Sequence, residues 1–566
     1  MVVKAYIFVR FAVGTIGKST RCDLSARNSA DTQIQERMSG TRESTNVWPA
    51  GELTSSALPR QAPRWDDLLR RPSHFLALLC VAQLLCWTIM PALVNVGPPT
   101  DVVEGFMWGR EWVLLTYKHP QLPCWLLEIS HLLTGSFRWP QYMLSQLMIT
   151  TTFVLVYLLA RDIMGSTRAL AAVLLMPSIY FFGWPTPQFN HDYAQMPFWA
   201  GISWLLWRAA RDGRPGWWLA LGLVSGLGLY AKFSTALLLA FGGIWLLFDT
   251  RARSRLATPW PWLGLAVFLG IAAPLVVELF RLDFLPLTYA AHRNEWVLAH
   301  RARLYYIGVQ LAGLCGFVVV LGLAGLLRRQ PRPSEEPLPA SVAPEPRAII
   351  YLAWMGLGPA LLVMIASLFT GTGESWGATM YNLVGALAIA LLGHRLGPKE
   401  LRRLSLLALL CVVGVSGAYA ATRWTSCNVL GHTQPVCWPA RSISQAADAI
   451  WHETVNAPLR IVGGDDGVAR LAGLEAPDQP SIFTTLDRRL APWITDQRLQ
   501  DEGMLLVWSK GWELTPRQLA WMDGLPVKTV SFDWSLKAPP LEINFAVIPP
   551  GRTSFPGDPA GPPDPE

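Results

Sequence analysis

Residues 101–129 read DVVEGFMWGREWVLLTYKHPQLPCWLLEI and directly follow a mostly apolar run at 75–97. Asp101 and Glu104 are three residues apart, so on a helix they face the same way. Lys118 and His119 stand just ahead of Pro120, a residue favoured in the first turn of a helix. Cationic or hydrogen-bonding groups placed before a helix N-terminus can hold a phosphate. Each feature also has a plainer reading: Asp101 as an acidic cap near a favourable dipole, and Lys118 as a lysine reaching for lipid headgroups. Spacing alone does not choose between them.

What positions these groups follows from the whole chain. Its 566 residues are 51% hydrophobic and only 15% charged, with 27 Trp and a mean hydropathy of +0.29. This composition lies outside the soluble globular class. The apolar residues fall in blocks long enough to cross a hydrocarbon core of about 30 Å. Candidate spans lie at about 75–97, 140–160, 168–184, 193–210, 216–231, 234–248, 260–280, 304–327, 348–370, 376–393 and 404–422, about eleven in all. The net charge of +7 is spread over loops without a basic stripe, so nucleic acid is not indicated.

Loop charges give an orientation. The even-numbered connections RDIMGSTR, RAARDGRP, DTRARSR, LLRRQPRPSEEPLPASVAPEPR and GHRLGPKELRR are all basic, whereas GWPTPQFNHD and TGTGESWGAT contain no Lys or Arg. The positive-inside rule then puts the N-terminus in the cytoplasm, and an odd number of spans leaves the C-terminal region outside. Residues 1–72 read as a disordered cytoplasmic leader, with Met38 an alternative start, 73–422 as the membrane domain, and 423–549 as a small extracytoplasmic α/β domain. In that domain RIVGGDDGV, GMLLVWSKG and LEINFAVIPP suit strands, while SISQAADAIWHETV and TPRQLAWMDGL suit helices. Cys427 and Cys437 are candidates for a disulfide in that compartment. Cys80, Cys86, Cys124, Cys315 and Cys411 lie in apolar segments and read as packing residues. Residues 550–566 form a Pro/Gly-rich disordered tail.

The opening stretch thus lies in the first outer loop. Val103, Phe106, Met107, Trp112 and Val113 share a helical side, and PQLPCWLLEISHLL suits a second amphipathic helix from Pro120. Both are expected in the membrane interface, with Trp rings at headgroup level.

DVVEGFMWGREWVLLTYKHPQLPCWLLE resembles the acidic motif and the following Y-x-H-P-P-L-x-A-W segment of the family 39-type glycosyltransferases. These are bacterial relatives of the dolichyl-phosphate-mannose protein mannosyltransferases and the aminoarabinose lipid A transferases. FNHDYAQMPFWA (189–200) and GLGLYAKFSTALLL (226–239) resemble further segments of that family, and the likeness covers about residues 75–300. Two departures stand out: the usual adjacent Asp-Glu is Asp101-x-x-Glu104, and the second Pro of HPPL is Gln121. The resemblance implies an α-helical polytopic membrane protein of the GT-C type in a bacterial cytoplasmic membrane. It further implies inverting transfer of a hexose or pentose from a polyprenyl-phosphate donor to an envelope lipid, glycan or protein at the outer face.

Such a transfer needs a carboxylate to accept the nucleophile's proton and fixed cations or dipoles for the leaving phosphate. Asp101 is the first candidate for the base, with Glu104 as partner or substitute. Lys118, His119 and Lys232, the last at the outer end of two short spans, are candidates for the phosphate. His191, Asp192, Arg293 and Arg301 are weaker site candidates, since interfacial capping and contact with anionic headgroups explain them nearly as well. No ligand spacing demands a divalent metal, and none is assigned. A transporter is the main rival, but it would be expected to carry polar groups near the midplane and related halves. A sensor would be expected to need a cytoplasmic output domain, and the largest inner loop is a Pro-rich linker.

Overall fold

Proline marks where the long helices begin. Pro72, Pro140, Pro215, Pro259, Pro346 and Pro398 each open a helix, where a missing N–H has no helical partner to lose and a fixed φ suits the first turn. The computed structural model describes residues 71–328, 341–431, 434–514, 516–522 and 524–552. All but the last two residues of the expected leader, the centre of the Pro-rich inner loop and nearly all of the expected tail lie outside these described residues.

The bundle runs α1 (Pro72–Val94), α2 (Thr100–Arg110), α3 (Leu122–Thr134), α4 (Pro140–Met164), α5 (Ser166–Leu174), α6 (His191–Asp212), α7 (Pro215–Ala231), α8 (Thr235–Phe248), α9 (Pro259–Arg281) and α10 (Leu285–His300). It continues through α11 (Tyr305–Ala324), α12 (Pro346–Thr370), α13 (Val384–Leu392) and α14 (Pro398–Trp424). Among the described residues six helices are long and apolar enough to cross a membrane, or up to eight if each of two bent pairs is one span. The expected segments at 168–184, 193–210 and 216–231 differ from simple spans. The first is the short α5 followed by two 3-10 turns, with residues 169–176 fully buried. The second lies in α6, which carries Asp192, Arg208, Arg211 and Asp212. The third, α7, has 17 residues, roughly 26 Å of helix.

Four of the basic connections meet one another. Arg211 donates to Asp162 O, Arg255 donates to Ala210 O and Arg211 O, Arg347 pairs with Asp249, and Arg168 donates to Val342 O. Segments that share a charge bias in the sequence therefore share one end of the bundle.

The two first-loop helices depart from expectation. α2 is buried from Val102 to Gly109, wedged between α3 and a helix of the C-terminal region, so protein rather than lipid covers it. Trp112 and Val113 lie beyond its end, Trp112 with a positive φ of 52°. α3 starts at Leu122 with Pro123 in its first turn, not at Pro120. The close approach of α2 to α3 depends on the glycines of EGFMWG. A Cβ on Gly105 would meet Leu127 Cδ1 at 2.6 Å, and one on Gly109 would meet the Cys124 carbonyl oxygen at 2.4 Å. Small residues four apart permit such contact. Gly109→Ala is therefore expected to cost about 1–3 kcal/mol, read as a lower thermal midpoint in detergent. Gly243→Ala, in α8 with open space at its Cβ, should leave the midpoint unchanged or slightly raised.

The C-terminal region holds a five-stranded sheet of order β2-β1-β3-β5-β4, built from β1 (Ile461–Gly464), β2 (Ser481–Thr484), β3 (Met504–Ser509), β4 (Val527–Phe532) and β5 (Leu541–Ile548). β1 pairs in parallel with β2 and β3, and β5 pairs antiparallel with β3 and β4. Helices α15 (Ala440–Thr454) and α16 (Asp466–Leu474) pack on it. Each expected strand and helix has a counterpart, but RIVGGDDGV is a strand only to Gly464 and then enters α16; β2, β4, α16 and the short helix Asp496–Glu502 were not anticipated. Cys427 and Cys437 form the expected disulfide. Gly464 has a φ of +125°, and a Cβ there would lie 2.1 Å from Val507 O. Only glycine fits, so VGGDDG turns from β1 straight into α16. Asp465 fixes that turn by accepting from Gly467 N at 3.1 Å and Ser509 Oγ at 2.8 Å.

Candidate active site

Residues from connections far apart in the sequence line one cavity of about 180 Å³: Asp101, Glu104, Lys118, His119, Asn190, His191, Asp192, Lys232, Tyr289, Arg293, Ser375 and Trp376. Every candidate named from the sequence is among them except Arg301, which instead lines a separate small recess and lies over the Tyr305 ring. The contributing segments are the expected first, third, fifth, seventh and ninth connections and their margins. None of the basic even-numbered connections contributes a lining residue.

Local structure explains how each group is held. Thr116 to Gln121 form a tight hairpin closed by Thr116 N donating to His119 O at 3.2 Å and Gln121 N to Leu114 O at 3.2 Å. Gln121 is fully buried and gives its side-chain amide to Thr116 Oγ1 at 3.0 Å and His119 O at 2.8 Å. The residue that departs from the family pattern thus braces the turn that presents Lys118 and His119. In FNHD, Asn190 caps α6 by accepting from Asp192 N at 3.0 Å, and its amide donates to Asp101 Oδ2 at 3.0 Å. Lys232 sits in extended backbone at the break between α7 and α8, which Thr235 stabilises by donating to Gly228 O.

Charges are paired inside the cavity. Lys118 Nζ lies 2.7 Å from Glu104 Oε1, and Lys232 Nζ lies 2.5 Å from Asp192 Oδ1. Lys118 also stands within 5.7 Å of the centroids of Trp108, Tyr117 and Tyr289, and Lys232 lies 5.3 Å from that of Trp376, geometry suited to cation–π attraction. Arg293 is exposed and makes no ion pair among the described residues. It is therefore the cavity's uncompensated cation.

The two carboxylates differ in kind. Burial pushes Asp101 above its ordinary range, with the Glu104 charge adding to the effect and Asn190 and Lys118 opposing it. Burial would raise Glu104 as well, yet Lys118 and Arg470 together override it and hold Glu104 below its ordinary range. Burial works against the charge on Lys118, but Glu104, with Tyr117 and Tyr289 adding to it, more than offsets burial and holds the ammonium above its ordinary value. His119 falls well below its usual value through burial and the neighbouring His191, Lys232 and Lys118, so it is a neutral hydrogen-bonding group rather than a cation. Its ring centroid lies 4.3 Å from that of His191, whose Nε2 donates to Pro120 O at 3.0 Å. Glu104→Gln would strip the counter-charge from two buried cations. It is expected to lower stability by about 3–5 kcal/mol, seen as a large drop in thermal midpoint.

Asn190, Arg470, Tyr289, Ser375 and Trp376 were not foreseen at the site. The last two lie in TGTGESWGAT, whose lack of Lys and Arg gave only its side of the membrane. No local pattern marks Arg470 or Tyr289. Among the described residues, the one His/carboxylate group close enough to share a cation is Asp448, His452 and Asp478, none of which lines the cavity.

Residues 118–277 match the family model for dolichyl-phosphate-mannose-protein mannosyltransferase. In shape the chain is similar to ArnT from Cupriavidus metallidurans bound to undecaprenyl phosphate, with a TM-score of 0.58, 13% identity, and coverage of 83% of this chain and 98% of that one. The apo form of the same protein gives a TM-score of 0.56 at 13% identity with the same coverage. At that identity the likeness is one of fold. An alignment of 85 residues, 13% of this chain, is 35% identical to a UPF0060 membrane protein of Clavibacter sepedonicus and covers 75% of it, so over that stretch the chain is similar to the UPF0060 membrane proteins.

Proposed function

We propose that this multi-pass membrane protein, which matches the dolichyl-phosphate-mannose-protein mannosyltransferase model over residues 118–277 and is similar in fold to ArnT, transfers a sugar from a polyprenyl-phosphate donor to an envelope lipid, glycan or protein. The observation that carries this reading is the single cavity in which an unpaired carboxylate, Asp101, stands with Lys118, Lys232 and Arg293. A phosphate leaving group needs fixed positive charge, and a hydroxyl nucleophile needs a base within reach.

The acceptor oxygen attacks the anomeric carbon and forms the new C–O bond. The bond to the phosphate oxygen breaks with its electron pair, so the polyprenyl phosphate leaves with the negative charge. The acceptor's proton passes to Asp101. A single displacement of this kind inverts the anomeric centre. Arg293 meets the phosphate first because no carboxylate neutralises it; Lys232 and Lys118 follow once the anion competes for them, and neutral His119 supplies a hydrogen bond.

The proposed topology keeps the cytoplasmic N-terminus, about eleven membrane segments and an extracytoplasmic C-terminal sheet. Clustering of basic connections at one end, and of the cavity's connections elsewhere, supports it. The reading is tested with the full chain in lipid vesicles supplied with polyprenyl-phosphate sugar and a crude envelope acceptor fraction. Release of polyprenyl phosphate coupled to sugar incorporation is expected; an untouched donor would reject it. Because Asp101 is raised, kcat/KM should fall on acidification at a pH above the usual carboxylate range, as protonated Asp101 cannot accept a proton.

A further inference from the structure

Taking that transfer as given, we infer that Arg470, delivered by the C-terminal sheet, is a positioning residue of the site: with Lys118 it fixes Glu104 as an ionised anchor and leaves Asp101 alone to take the acceptor's proton. Arg470 is 6% exposed and lies 2.9 Å from Glu104 Oε1, the same oxygen that Lys118 approaches to 2.7 Å. Its other partner is Asp466, one turn earlier on α16. Asp101 has hydrogen bonds with the Asn190 and Gln188 side chains and no ion pair among the described residues.

The placement is enforced at both ends of α16. Gly464 and Asp465 fix its start. At its end, Arg110 of α2 donates to Gly473 O at 3.0 Å, Leu474 O at 2.5 Å and Pro480 O at 3.4 Å. The helix bearing Asp101 and Glu104 and the helix bearing Arg470 are thus joined by reciprocal arginines. A buried guanidinium is costly unless its charge is matched, so Arg470 between two carboxylates is a built arrangement.

The chemical consequence concerns two neighbouring acids. Like charges close together resist joint ionisation and come to share a proton. Glu104 faces Lys118, His191 and Arg470, with Asp466, Tyr117, Tyr289 and Cys124 also near it, while Asp101 faces Glu104, Lys118, Arg470, Tyr193, Tyr289, Asn190 and Gln188. Removing the Arg470 cation leaves the carboxylate pair with one fewer positive neighbour, so the pair holds its proton to higher pH.

The test compares the pH dependence of kcat/KM for wild type, Arg470→Gln and Arg470→Lys, all as full-length protein in vesicles. Arg470→Gln should move the acid limb upward by about one pH unit or more, and Arg470→Lys should return it most of the way. If Arg470→Gln does not fold, Asp466→Asn combined with Arg470→Gln removes the cation with its own partner and should show the same shift. An unmoved acid limb in the folded variant, whatever its maximal rate, would mean that Arg470 only docks the sheet and would overturn the inference alone. Wild type that transfers nothing would overturn both the functional reading and this inference.

Discussion

Asp101→Asn is expected to lower sugar transfer by about 10²–10⁴-fold, the usual worth of a general base, while leaving the protein folded. Asparagine keeps the shape of the carboxylate but cannot accept the proton. The raised carboxyl of Asp101 suits the role, because a base with a higher pKa takes a proton more readily when the acceptor hydroxyl begins to bond. Structural damage should be small: among the described residues Asp101 has no ion pair, and its hydrogen-bond partners are the Asn190 and Gln188 side chains, to which the asparagine carbonyl can still offer an acceptor. The comparison is made at saturating donor on protein whose thermal midpoint matches wild type. Activity within about threefold of wild type would make Asp101 a cap of α2 and shift the base to Glu104.

Lys232→Met is expected to destabilise the protein by about 3–5 kcal/mol, the typical cost of leaving one partner of a buried ion pair behind. Lys232 and Asp192 side chains are only 9% and 7% exposed, so solvent screens their 2.5 Å contact little. Asp192→Asn should cost a comparable amount by orphaning the ammonium. The double variant Lys232→Met with Asp192→Asn should recover most of the loss, since a neutral pair needs no counter-charge. Donor binding should not recover, because the cation is gone in both the single and the double variant. Thermal midpoints and donor KM separate the two roles. Additive losses of stability in the double variant would show that the pair is not coupled.

The residues that chemistry singles out were largely legible. Asp101, Glu104, Lys118, His119, His191, Asp192 and Lys232 sit in short segments whose residue types are unusual beside apolar runs, and loop charge placed those segments on one side. The structure gathers them into one cavity. Pairing was not legible: that Lys118 meets Glu104 and Lys232 meets Asp192 depends on how helices dock, which spacing does not report. Nor was Arg470, which lies 366 residues from Glu104 and enters the site through the turn at Gly464 and Asp465. The environment of α2 was misread because its apolar side was assigned to lipid. The glycines of EGFMWG, four apart, were the local sign that another helix would cover it. His119 was read as a possible cation from its type, while the burial and positive neighbours that keep it neutral arise only in the folded site.

The central question is whether this cavity moves a sugar. The direct measurement is mass spectrometry of envelope lipids, glycans and glycoproteins from a strain lacking the chain, complemented with wild type or with Asp101→Asn. A mass difference of one sugar that returns with wild type, and not with a normally expressed Asp101→Asn protein, is the predicted result. No change in any glycoconjugate across the three strains would contradict it.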